Sequence, residues 1–220
     1  MNIAAYIDHT ILKPVTTLSE VEQVCNDALE YGFVAVCVPP LFVKKARQVL
    51  QNSTVKVATV IGFPFGYSAI EAKVAEIVLA IIDGADELDV VINISAIKNN
   101  DWQFLANEIS TILPIIKKQQ KVIKLILETG ILTDEEIIKC CDLYGAAGVD
   151  FLKTSTGYAE KGATIEAVTL MRKHLGEQVR IKASGGIKTY TFAKQLIEAG
   201  ADRLGCSSSV QIVKEAGRQN

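Results

Sequence analysis

The sequence is poor in several residue types, and each shortage removes a class of protein. Among 220 residues there are only two histidines, His9 and His174, with no clustered carboxylates beside them. A zinc or other transition-metal site is therefore not expected. The five cysteines, Cys25, Cys37, Cys140, Cys141 and Cys206, are odd in number, scattered and without CxxC spacing. That is no secreted disulfide framework, and it points to reduced thiols in a cytoplasmic protein. No purely apolar run exceeds six residues, as at 77–82, where a membrane span needs roughly 20. The first ten residues, MNIAAYIDHT, hold no Lys or Arg and meet Asp8 too early for a signal peptide. Charge of one sign is also missing: 23 basic against 25 acidic side chains leave a net −2. Neither a nucleic-acid footprint nor a polybasic membrane patch follows from that balance. There is no linker, low-complexity stretch or charge block, so residues 1–220 read as one soluble domain.

What is present is a regular alternation. Apolar residues make up 49% of the chain, enough at this length for a large core without staples. Eight β-branched runs, at 4–9, 34–38, 55–61, 87–94, 122–128, 149–153, 179–184 and 203–206, read as strands. Most are apolar at consecutive positions, as strands covered on both faces should be. Between them lie amphipathic stretches with start signals: Thr17 with Glu20, Ser68 with Glu71, and Thr133 with Glu136 have capping-box spacing. A helix through Trp102, Leu105, Ile109, Ile112 and Ile116 contains Pro114, which predicts a kink. Four segments, YGFVAVCV, DGADELDVV, AAGVDFLK and AGADRLGC, repeat a helix–Gly–strand pattern. Eight such units predict an α/β fold, a compact (β/α)8 TIM barrel. A doubly wound sheet would need a Gly-rich first turn, which HTILKP is not.

In a barrel, reactive groups sit at the C-terminal ends of the strands. Lys153 closes the run VDFLK and is followed by TSTG. Burial there would lower its pKa and free the amine as a nucleophile, although a structural ion pair fits the position too. Lys182 holds the matching place on the next strand, and a like charge alongside disfavours protonation. Asp89 interrupts ELDVV, and an isolated buried carboxylate needs a partner, which either lysine supplies. Asp8, Lys124 and Glu128 also break apolar strands and would extend a polar network. The loops SGG (Gly185, Gly186) and CSSS (Ser207, Ser208) follow strands seven and eight, the usual phosphate position of such barrels. Cys37 ends a strand and lines the pocket or merely packs. Tyr67 and Tyr158 lie in loops, as ligand contacts or as packing. No Rossmann, Walker or GxSxG motif is present, so no nucleotide cofactor is expected. Together these residues make a cofactor-free Schiff-base site for a phosphorylated carbonyl compound. A barrel isomerase, an aldolase for another sugar phosphate and a silent sugar-phosphate sensor remain open on these residues alone.

The segments IDHTILKP, VAVCVPP, ATVIGFPFG, GADELDVVIN, KLILETG, GVDFLKTSTG, IKASGGIKT and RLGCSSSV, spanning residues 7–210, resemble the 2-deoxyribose-5-phosphate aldolase family in order and spacing. LKTSTG together with GFPFG is a specific combination. The resemblance implies a class I aldolase acting on a sugar phosphate and aldehydes, without metal or cofactor, and open to homo-oligomer formation. It implies that Lys153 is the Schiff-base lysine, Asp89 the proton relay and Lys182 the perturbing lysine. Gly157, Gly185, Gly186, Ser207 and Ser208 match phosphate-contacting stretches, and Cys37 a pocket cysteine. Three positions depart. Tyr158 stands where some members have Lys after TSTG. The second glycine loop reads Ala183-Ser184-Gly185-Gly186. The last tyrosine is Tyr190, so the resemblance supplies no proton donor from a C-terminal tail.

Overall fold

A computed structural model describes residues 1–218. Strands and helices alternate along it: β1 (Ile7–Thr10), α1 (Leu18–Tyr31), β2 (Ala35–Val38), α2 (Val43–Val49), β3 (Lys56–Ile61), α3 (Ile70–Ile82), β4 (Glu87–Val91), α4 (Ile94–Lys98), α5 (Trp102–Lys118), β5 (Val122–Ile126), α6 (Asp134–Ala147), β6 (Phe151–Lys153), α7 (Ile165–His174), β7 (Arg180–Ser184), α8 (Tyr190–Glu198), β8 (Arg203–Cys206) and α9 (Ser209–Arg218). The strands form a closed barrel in chain order. All pairs are parallel, and Asp8 opposite Gly205 closes β1 onto β8. This is the expected TIM barrel.

The pleat sorts side chains into two interiors. On β2, Val36 and Val38 join the large core between sheet and helices. Cys37, between them, faces the other way and clusters with Ala58 and Val60 inside the barrel. Those are small side chains, so that side of the interior leaves room for long ones from the opposite strands.

Local chemistry sets most element ends. Thr17 and Thr133 each accept from the amide three residues on, while Glu20 and Glu136 reach back to the cap amides. Two of the three expected capping boxes thus form. The third does not, because α3 starts one residue late, after Ala69, and Ser68 falls out of register. The first strand also differs: Ile3–Tyr6 is a single 3-10 turn and β1 begins at Ile7. Its alanines are weak strand formers, and Ile3 and Ala4 are buried without sheet pairing. The fourth strand stops at Val91 rather than 94, because the Asn93 side chain accepts from Ala96 N at 3.0 Å and starts α4. Helix α5 runs through Pro114 to Lys118.

Candidate active site

The barrel interior is filled by charge. Asp89, midway along β4, is fully buried and surrounded by three ammonium groups. Lys124 Nζ donates to Oδ1 at 2.8 Å, and Lys153 and Lys182 both donate to Oδ2, at 2.7 and 2.8 Å. Strand register produces this: Asp89 lies opposite Lys124, and Lys153 opposite Lys182. Lys182 also donates to Asp8. Lys124 has Glu87 at 2.5 Å and Asp8 at 3.8 Å as further partners. Arg203 donates to Asp8 Oδ1 at 2.6 Å. Phe151 forms an aromatic floor, with Arg203 and Lys124 over its ring at 5.5 and 6.0 Å.

Four cations (Lys124, Lys153, Lys182, Arg203) thus share three carboxylates (Asp8, Glu87, Asp89). Two ammonium groups on one oxygen are roughly 4–5 Å apart and repel by roughly 3–4 kcal/mol at an effective dielectric of ~20. One proton is therefore poorly held, and the contacts say whose. Lys182 has two carboxylates and Lys124 three, whereas Lys153 has only Asp89 among the described residues in ion-pair range. Burial lowers the pKa of Lys153, Lys182 pushes the same way, and Asp89 does not fully offset them. Burial also opposes the charge on Lys124 and Lys182, but their carboxylates outweigh it and both are pushed up. Burial alone would raise Asp89; the three lysines overcome that and hold it well below the usual range.

Above this layer a cavity of about 420 Å³ opens at the C-terminal end of the strands. Lys153 faces it together with Gly157, Gly185, Gly186, Gly205 and Ser207, and Lys13, Lys188 and Tyr158 line it as well. Gly157, Gly185 and Gly186 have φ of 89°, 87° and 77°, which side chains rarely adopt. Gly185 also packs tightly against Gly162, where a Cβ would meet the Gly185 carbonyl at 2.2 Å. At Gly205 a Cβ would come within 2.9 Å of Lys182 Cε, so that residue makes room for the lysine itself.

The profile of the DeoC/LacD family aldolases matches residues 2–213. The chain belongs to this aldolase family. It is 50% identical over 220 residues to a protein of Caldanaerobacter subterraneus subsp. tengcongensis named deoxyribose-phosphate aldolase, covering 100% of this chain and 95% of that one. A Thermococcus kodakarensis protein of the same name is 50% identical over 216 residues, 97% of this chain and 96% of its own. Among solved structures, the tetrameric deoxyribose phosphate aldolase of Aeropyrum pernix superposes with a TM-score of 0.91 at 32% identity, over 99% of this chain and 92% of that one.

In this family aldolase the expected residues divide into two layers. Asp89, Lys182 and Lys153 meet in the interior, joined by Asp8 and Lys124. Gly157, Gly185, Gly186 and Ser207 share the cavity wall with Lys153, whereas Ser208 and Cys37 are not part of that wall. Cys37 is fully buried with Ala58 and Val60; burial, with Asp89 adding to it, pushes its thiol up to about 11. Glu128 does not join the interior network. Its backbone is left-handed, with φ 61°, and its carboxylate accepts from the Thr156 amide and hydroxyl, tying the loop after β5 to the loop after β6. Tyr67 is exposed and stacks on Phe65. Tyr158 donates to the Leu12 carbonyl at 2.7 Å and meets Phe63 edge-on, bridging two loops at the cavity mouth. Two network members went unread in the sequence, Glu87 and Arg203. Glu87 is two residues before Asp89, hence on the same face of the strand, and Arg203 lies opposite Lys182; each opens its strand, where a charge reads as a solvated end.

Proposed function

We propose that this aldolase reversibly cleaves 2-deoxy-D-ribose 5-phosphate to acetaldehyde and D-glyceraldehyde 3-phosphate through a Schiff base on Lys153. The observation that carries the reading is the excess cation around Asp89, whose weakest-held proton belongs to the one lysine of those three that lines the cavity. The names of the relatives support the substrate.

The Lys153 amine adds its lone pair to the aldehyde carbon C1 of the open-chain sugar, and loss of water leaves an iminium. Asp89, kept ionised by Lys124 and Lys182, takes the C3 hydroxyl proton through a bridging water. The C2–C3 bond breaks, its electron pair moves into the iminium, and C3 becomes the aldehyde carbon of glyceraldehyde 3-phosphate. The resulting enamine gains a proton at C2, and water hydrolyses the imine to release acetaldehyde and Lys153. Lys182 holds its own charge on Asp8 and Asp89 and so disfavours a proton on Lys153. The phosphate lies against Gly157, Gly185, Gly186 and Ser207, with Ser208, outside the cavity wall, leading into α9, where backbone N–H groups and the N-terminus of that helix favour an anion. Tyr158, in place of a lysine, leaves Lys13 and Lys188 as the cations of that wall.

Borohydride added with substrate should fix a covalent adduct on Lys153, located by peptide mass spectrometry, and Lys153→Ala should lose both adduct and turnover. Wild-type protein that turns over substrate with no adduct would refute the imine. An isomerised pentose phosphate in place of acetaldehyde would favour the barrel-isomerase reading.

Val78, Leu79 and Ile82 on α3 are 40, 62 and 73% exposed. We take this apolar face as the contact between copies in a homo-oligomer, in keeping with the tetramer of the Aeropyrum relative. Ile82→Glu with Leu79→Lys should reduce the mass seen by sedimentation; a wild-type monomer at micromolar concentration would refute the contact. No described helix is long and apolar enough to cross a membrane, and a cytoplasmic place fits the buried free cysteines.

A further inference from the structure

The cavity wall contains a polar chain that the reaction above does not use. His9 lines the cavity beside Gly205, Cys206 and Ser207, yet it is only 5% exposed. Its Nδ1 lies 2.9 Å from Ser209 Oγ and its Nε2 3.3 Å from Asp27 Oδ2. Asp27 is itself held by Gln23, whose Nε2 donates to Oδ1 at 2.7 Å. At the other end Ser209 Oγ donates to the Cys206 carbonyl at 2.8 Å. The chain therefore runs from α1, through β1, to the turn where β8 becomes α9. Phe33 closes over the imidazole at 5.2 Å between centroids.

An Asp–His–Ser order resembles a hydrolase relay, but the geometry does not serve one. Ser209 has no exposed surface, and its hydroxyl is taken up between the Cys206 carbonyl and His9 Nδ1. No substrate carbonyl reaches the hydroxyl. What the chain does fix is the first residue of α9. The residues before it, Ser207 and Ser208, are the half of the phosphate cradle that has no αL glycine to set its shape. On the other side of the cavity, Gly185 and Gly186 take the left-handed backbone, and Gly185 packs on Gly162. Donors aimed at an anion act through preorganisation, and a loop end displaced by less than 1 Å loses much of their effect.

We propose that His9 is a positioning residue for phosphate recognition: with its ring fixed by Asp27, it holds Ser209, and thereby sets where the N-terminus of α9 meets the substrate phosphate. This rests on the phosphate reading given above. It makes His9 a determinant of specificity for phosphorylated over unphosphorylated sugar, with no part in the bond-breaking steps.

The test compares kcat and KM for 2-deoxyribose 5-phosphate and for unphosphorylated 2-deoxyribose in wild type, His9→Leu, His9→Asn and Ser209→Ala. His9→Leu should raise KM for the phosphorylated sugar about tenfold, the loss of one hydrogen-bonded anchor. Its kcat, and its kcat/KM for 2-deoxyribose, should stay within about threefold of wild type. Ser209→Ala, a milder change at the other end of the contact, should give the same split. His9→Asn places an amide nitrogen where Nδ1 stood and should recover most of the phosphate preference. A wild type that does not prefer the phosphorylated sugar would refute the phosphate reading itself. A wild type that prefers it, with the preference intact in both His9→Leu and Ser209→Ala, would overturn the role of His9 alone. Equal losses on both substrates in Ser209→Ala would overturn it too.

Discussion

At Lys153 the decisive quantity is how many carboxylates a lysine can call on. Lys182 keeps Asp8 when Asp89 is shared out, and Lys124 keeps Glu87; Lys153 keeps nothing else in ion-pair range among the described residues. Its depressed pKa comes first from burial and then, against Asp89, from Lys182. Replacing Lys182 by leucine removes the like charge, so the Lys153 pKa should rise. The rising limb of the kcat/KM–pH profile should then move to higher pH, and activity at pH 7 should fall by about tenfold or more. A profile with the limb unmoved would refute the assignment of Lys182 as the perturbing group. The three central residues were legible in the sequence because a charge inside an apolar strand has no solvated alternative. Glu87, Arg203 and His9 were not. Each is polar at a place where a polar residue ordinarily meets water or a neighbouring charge, and only strand register shows that they face inward or bridge to a distant helix.

Among the elements, agreement between sequence and structure follows how local the determining chemistry is. A capping box is a contact over four residues, and a helix-ending glycine in the left-handed region, such as Gly32 at φ 71° or Gly148 at φ 79°, acts within one turn. Helices α1 and α6 therefore start and stop where the sequence places them. Where a second signal competes, the boundary moves. Residues 3–6 hold two weak strand-forming alanines and coil into a 3-10 turn, and Asn93 ends a β-branched run by capping the helix after it. Ser68 and Glu71 show that spacing is necessary and not sufficient, since α3 takes its first turn from Ile70. Thr133→Ala should accordingly cost about 1 kcal/mol of unfolding free energy. Ser68→Ala, with no cap to lose, should stay within about 0.5 kcal/mol. Urea denaturation of the two variants beside wild type measures both, and equal losses would contradict the cap assignment.

The whole barrel contains a buried charge network drawn from six of its eight strands: β1, β4, β5, β6, β7 and β8. A set of apolar side chains in that volume would ordinarily be as stable or more so, because desolvation offsets most of the attraction between buried ions. Its presence is explained by what it does to one amine, and its cost should be visible in the response to acid. Asp8 and Asp89 have folded pKa values below their ordinary 3.8: burial raises each, and the surrounding cations more than reverse it. A carboxyl with a depressed folded pKa stabilises fully above its unfolded value and loses that contribution as pH falls toward the folded one. Glu108 and Glu128 go the other way, because burial raises both above 4.5, so they favour the folded state slightly as pH falls from 7 toward that value. Burial lowers the pKa of His9 from its ordinary 6.5, which removes some stability as pH falls through that value, so wild-type stability should change little between pH 7 and about 5 and fall steeply below about 3.8. Asp89→Asn leaves the Lys124 and Lys182 ammonium groups and the Lys153 amine around a neutral amide, and should cost about 3–5 kcal/mol at pH 7. The gap to wild type should shrink below pH 3.8, where Asp89 of the unfolded wild-type chain takes up a proton while the folded carboxylate, held well below that value, is still ionised. Urea midpoints of the two proteins at steps from pH 7 to pH 3 decide the matter: a gap that stays constant across that range would mean that Asp89 does not balance the lysines.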